Sequence, residues 1–129
     1  MPSFLGPFTD DEIISELDVK NVRYVDTEID FSTPSGAYNL GEILPVGTRI
    51  LFIFVQVLSI FDGNPSITVG DTVNALKYLD NDSSDLSELG IYNQLVLDRL
   101  EIVSQGRIYW NPGDSTKGSL KVVAVLAEP

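Results

Sequence analysis

Ile50-Leu51-Phe52-Ile53-Phe54-Val55-Gln56-Val57-Leu58-Ser59-Ile60-Phe61 is the longest apolar run in the chain, broken only by Gln56 and Ser59. Its twelve residues are too few to cross a bilayer as a helix, which takes about 20. The run is rich in β-branched and aromatic side chains. Pro45-Val46-Gly47 precedes it and Asp62-Gly63-Asn64-Pro65 follows it. It therefore reads as a buried β-strand, Thr48 to Ile60, held between two turns.

Downstream, Ser66 to Val69 is a short strand ended by Gly70-Asp71. Residues 72–79 predict one or two helical turns, because Val73, Leu76 and Leu79 fall three apart. Asp80 to Ser84 is a polar loop, and Gly90-Ile91-Tyr92 begins a return segment. Leu97 to Val103 and Arg107 to Trp110 read as strands, with a turn at Asn111-Pro112-Gly113-Asp114. The last strand, Ser119 to Ala127, puts Leu120, Val122, Ala124 and Leu126 on one face. Upstream, Ala37 to Leu44 is a strand after the turn Thr33-Pro34-Ser35-Gly36. The segment after Asn21 carries Val22, Tyr24 and Asp26 on one face and Arg23 and Val25 on the other. Short strands punctuated by Gly, Pro and Asp, without a βαβ rhythm, specify an all-β fold: an antiparallel β-sandwich or jelly roll. Residues 19–129 form that single domain.

Residues 1–18 read as an arm. Pro2, Gly6 and Pro7 are followed by Thr9-Asp10-Asp11-Glu12, a capping box that starts one or two helical turns. Ile13, Ile14 and Leu17 give those turns one apolar edge. So short an amphipathic segment is not stable alone in water. It must dock on its own domain or on a neighbouring subunit, which makes Ile13, Ile14 and Leu17 candidate interface residues.

Composition narrows the function. The 129 residues include 8 Lys+Arg and 19 Asp+Glu, a net charge of −11. Lys20, Arg23, Arg49, Lys77, Arg99, Arg107, Lys117 and Lys121 are scattered. No basic patch is there to replace counterions on phosphates or to meet an anionic membrane, so neither nucleic acid nor membrane is an expected partner. Such acidity favours solubility and mutual repulsion. There is no His and no Cys. That excludes Ser-His and Cys-His catalysis, imidazole or thiolate metal sites, and disulfides. The N-terminus has neither the basic nor the apolar region of a signal peptide, so synthesis in a cytoplasm is expected.

The remaining motifs carry little chemistry. Asp80-Asn81-Asp82-Ser83-Ser84-Asp85 spaces oxygen ligands as Ca²⁺ prefers, but Asp85 stands where an EF-hand needs Gly and Ile91 where it needs an acid. A solvated loop is the expectation. No pair of carboxylates is singled out for glycoside hydrolysis, and no glycine spacing matches a phosphate-binding loop. Tyr78, Tyr92, Tyr109 and Trp110 are candidates for a sugar-stacking platform. Tyr109 and Trp110 are adjacent, so in a strand they point to opposite faces and at least one belongs to the core or an interface. Asn81-Asp82-Ser83 fits a glycosylation sequon, which has no meaning without secretion. No catalytic, cofactor-binding or metal-binding residue is expected.

One resemblance adds to this. Pro45-Val46-Gly47-Thr48, the apolar strand, Phe61-Asp62-Gly63-Asn64-Pro65-Ser66-Ile67-Thr68-Val69-Gly70-Asp71, Gly90-Ile91-Tyr92, then Gly113-Asp114-Ser115-Thr116-Lys117-Gly118 and a closing Val/Ala strand occur in this order over residues 45–127. The order resembles small β-sandwich virion proteins of tailed bacteriophages, including capsid decoration (cement or head-fibre) and tail-associated structural proteins. The resemblance implies a non-enzymatic, often trimeric protein that caps junctions of the capsid lattice, with the major capsid protein or other virion proteins as partners. It implies localisation in the virion, assembled in the host cytoplasm. Tyr109 and Trp110 join Ile13, Ile14 and Leu17 as candidate interface residues. A tail, collar or head–tail junction position, or a carbohydrate-binding module of a receptor-binding protein, are the alternatives.

Overall fold

A computed structural model describes residues 22–128. The N-terminal arm, with Ile13, Ile14 and Leu17, lies outside the described residues. Seven strands follow in order: β1 (Val22–Asp30), β2 (Gly36–Leu44), β3 (Arg49–Ser59), β4 (Ser66–Gly70), β5 (Gly90–Arg99), β6 (Ser104–Asn111) and β7 (Ser119–Ala127). They form two sheets, β1-β7-β3-β5 and β2-β6-β4. Every neighbouring pair is antiparallel.

The pairings have one origin. β1 pairs with β7, β2 with β6, β3 with β5, and Val69 of β4 bridges Leu79. The partners' residue numbers total 149 for Val22 and Ala127, 146 for Gly36 and Trp110, 148 for Arg49 and Arg99, and 148 for Val69 and Leu79. The chain is thus one long hairpin ribbon with its tip near Asn74, wrapped so that β3 meets β7 and β4 meets β6. This is a jelly roll in which the strand after β4 is reduced to a single bridge.

The interior is built by alternation. Ile53, Val55 and Val57 of β3, Leu120, Val122 and Ala124 of β7, Ile67 and Val69 of β4, and Ile108 and Trp110 of β6 are all buried between the sheets. The one-sided face expected of Ser119 to Ala127 is there: Leu120, Val122, Ala124 and Leu126 are all in the core. Phe61, just after β3, meets the Trp110 ring edge-on at 5.4 Å.

Residues 72–79 are not helical. Asp71 Oδ1 accepts the N–H groups of Val73 (2.9 Å) and Asn74 (2.7 Å), and the Tyr78 and Leu79 N–H groups both donate to the Val69 carbonyl at 3.0 Å. These bonds commit the backbone to a turn and the bridge. Leu79 is buried while Val73 and Leu76 are exposed, so the spacing of three marks no common face. The strand expected at Leu97 to Val103 is also corrected: β5 begins at Gly90 and ends at Arg99. Leu97 has φ +53°, where the β3–β5 register slips. β6 starts three residues earlier than the Arg107 boundary expected for it.

The missing strand leaves one flank of the sandwich open, and Lys77 spans it. Its Nζ lies 3.5 Å from Asp71 beside the β4 end and 3.8 Å from Asp98 on β5, and 5.6 Å from the Tyr78 ring centre. Tyr78 is buried behind this contact. Burial, then the charges of Asp71 and Asp98, push its hydroxyl well above the usual phenol value. Burial works against the Asp71 carboxylate, but the Asn74 and Val73 N–H groups and the Lys77 charge outweigh it and hold its pKa below 3.8.

Candidate interaction surface

The outward face of the four-stranded sheet follows from register. Residues alternating with the core set line up across β1, β7, β3 and β5 in three rows: Tyr24–Val125–Phe52–Leu95, Asp26–Val123–Phe54–Asn93, and Glu28–Lys121–Gln56–Ile91. The first row is wholly apolar, and the third is charged and polar except for Ile91. Tyr24 (67 %) and Leu95 (65 %) are largely exposed. The Phe52 and Phe54 rings stack at 6.2 Å. Val123 faces outward yet is only 6 % exposed. A groove of about 290 Å³ runs over this face, lined by Tyr24, Asp26, Phe54, Gln56, Lys121, Val123 and Val125. Shallow and largely apolar, it offers contact area, with no convergent polar groups for chemistry. Leu97 (64 %) extends the exposed apolar strip along the free edge of β5.

The residues expected at an interface or sugar platform fall differently. Trp110 is 3 % exposed and is the one of the adjacent pair that lies in the core. In β6 it pairs between Gly36 and Ile67 and points inward, and its indole N–H donates to the Thr33 carbonyl at 3.1 Å. Tyr109 points to the other face, half-buried, and its hydroxyl donates to the Asp71 carbonyl at 2.5 Å. Tyr78 is buried and Tyr92 packs partly on the core. The four aromatic residues therefore do not line one exposed surface. Ile13, Ile14 and Leu17 lie outside the described residues. Sequence reasoning missed the surface that is present. Its signal was the unbroken apolarity of residues 50–55, which places apolar groups on both faces of β3.

The acidic loop bends on itself. Asp80 Oδ1 accepts the Asp82 N–H at 3.1 Å, and Asp85 Oδ1 accepts the Ser87 N–H and hydroxyl at 3.0 and 2.6 Å. Those bonds lower the Asp85 pKa. Among the described residues, no three acidic groups are gathered to hold a metal ion, and no helix is long and apolar enough to cross a membrane.

No protein-family model matches the chain, and no curated protein sequence does. Solved structures do. A chain of the cyanophage Pam1 capsid asymmetric unit superposes with a TM-score of 0.64 at 20 % identity, covering 86 % of this chain and 87 % of that one. A chain from the acid-stable capsid of Helicobacter pylori bacteriophage KHP30 gives 0.68 at 16 % identity, covering 86 % and 90 %. One from the capsid of Ralstonia phage GP4 gives 0.52 at 12 % identity, covering 86 % of each. What these chains share with this one, at such identities, is the fold: a small all-β sandwich found in the shells of three phages.

Proposed function

We propose that this chain is a non-enzymatic structural protein of a bacteriophage virion, and that it decorates the capsid by binding the assembled head. The observation that carries this reading is the extent of the structural likeness. It takes in 86 % of this chain and 86–90 % of three phage-capsid chains, so it concerns nearly the full length of each of those three chains. The chain's physics is consistent with the role. A rigid core, a net charge of −11 and the absence of thiols suit a soluble component that adds to a particle from solution. Binding only to the assembled lattice would stabilise it by mass action. The major capsid protein is the partner on this reading, with a homotrimer as the adding unit.

The test is the copy number in purified particles, relative to the major coat protein, by quantitative mass spectrometry. A simple ratio to the coat protein supports decoration. A few copies per particle would move the protein to the tail, collar or head–tail junction. Absence from particles would overturn the virion reading.

A further inference from the structure

We infer that the chain's own residues 1–18 dock across the outward face of the β1-β7-β3-β5 sheet and cover its apolar row, Tyr24–Val125–Phe52–Leu95. Four observations converge on this occupant.

First, β3 is apolar on both faces. Ile53, Val55 and Val57 point into the core, while Phe52 and Phe54 point out beside Val123 and Val125. The outward residues of an antiparallel sheet with one solvated face are ordinarily polar, yet these are apolar and among the described residues nothing lies over them. Second, the described chain begins at the apolar end of that face. Val22 opens β1 on the sheet edge, two residues before Tyr24. Residues 19–21 can reach about 10 Å, enough to turn onto the face. Third, the size fits. The capping box at Thr9–Glu12 starts one or two helical turns, about 5–11 Å long, and with the extended residues on either side the segment can span the about 14 Å between the outer strands of the row. Ile13, Ile14 and Leu17 supply the apolar edge such a crossing needs. Fourth, the charges are suited. Residues 1–21 carry Asp10, Asp11, Glu12, Glu16 and Asp18 against Lys20. Arg49 and Arg99 sit opposite each other across β3 and β5 at the same end of the sheet, with Glu101 3.6 Å from Arg99, whereas Asp26 and Glu28, with Lys121 beside Glu28, lie toward the other end. An acidic segment is drawn to the end where the apolar row lies.

The absence of cysteine gives a clean assay on the full chain. Ile13→Cys is combined with Leu95→Cys on the proposed face. As a control it is combined with Ile43→Cys, which is equally exposed on the other sheet. Both positions are surface ones, and circular dichroism checks folding. Mild oxidation is expected to give an internally crosslinked monomer severalfold more with Leu95→Cys than with Ile43→Cys. Equal yields, or no crosslink, would overturn the proposal. Crosslinks formed only between chains would also overturn it, assigning the face to a neighbouring copy's segment. A second readout is independent of crosslinking: deleting residues 1–18 should raise binding of a hydrophobic dye severalfold while leaving the β spectrum intact, and unchanged dye binding would count against it. Neither assay uses particles, so either can fail while the virion reading stands.

Discussion

Replacing Trp110 separates a core role from a surface role. The indole is 3 % exposed, meets Phe61 edge-on at 5.4 Å and donates to the Thr33 carbonyl at 3.1 Å. Trp110→Phe keeps a ring but leaves that carbonyl without its donor and part of the volume empty. A lost hydrogen bond near 1 kcal/mol and a partly filled cavity together cost about 2 kcal/mol. Trp110→Ala empties the site and costs about 4–5 kcal/mol. That is a large part of the total stability of a domain this size. With a urea slope of about 2 kcal/mol/M, the midpoint falls by about 1 M for Trp110→Phe and about 2 M for Trp110→Ala. Far-UV circular dichroism in urea, at one fixed protein concentration, reads both variants without relying on the lost fluorophore. If both midpoints stay within about 0.5 M of the parent while particle or polysaccharide binding is lost, Trp110 is a contact residue and the core assignment is wrong.

Three further outcomes follow. Gly118 has φ +128°, and a Cβ there would lie 2.4 Å from the Phe61 ring, so Gly118→Ala should cost about 2–4 kcal/mol by urea unfolding. Thr48 is buried and its hydroxyl has no hydrogen-bond partner among the described residues; Thr48→Val should therefore be neutral or stabilising by about 1 kcal/mol, and a clear loss of stability would show that the hydroxyl is satisfied. Asp71 has a folded pKa below 3.8, so its contribution is fully present above that value and is lost as pH falls through the lower folded value. Asp71→Asn should accordingly be less stable than the parent at about pH 6, with the gap narrowing as the pH falls below 3.8, and a gap independent of pH would exclude the charge as its origin.

Most of the sheet framework is legible because turn chemistry and alternation agree. Pro45 to Gly47, Asp62 to Pro65 and Asn111 to Asp114 bracket strands that the structure contains. The misreadings sit at the open flank. β5 has no strand opposite its inner side over Gln94 and Val96, so its polar and apolar residues do not alternate cleanly, and the bulge at Leu97 shifts what remains. Residues 72–79 carried a helical spacing by coincidence, and the deciding interaction was a single carboxylate, Asp71, bonding the next turn's N–H groups. The outward apolar row was hidden because it is assembled from β1, β7, β3 and β5. No local window holds Tyr24, Val125, Phe52 and Leu95 together.

The nested ribbon also sets an order of assembly during synthesis. Val69 and Leu79 are ten residues apart, whereas Val22 and Ala127 are 105 apart. Contacts near the tip close cheaply, and each outer pair must wait for a longer loop to close. β7, the last of the seven described strands in chain order, sits between β1 and β3 in its sheet. A nascent chain stopped short of Ser119 therefore holds two bare strand edges and the exposed inner face of β3, the features that draw partly folded chains together. The fold has no stable half: the nine residues of β7 convert an aggregation-prone ribbon into a closed sandwich, and β7 is where truncation should be least tolerated.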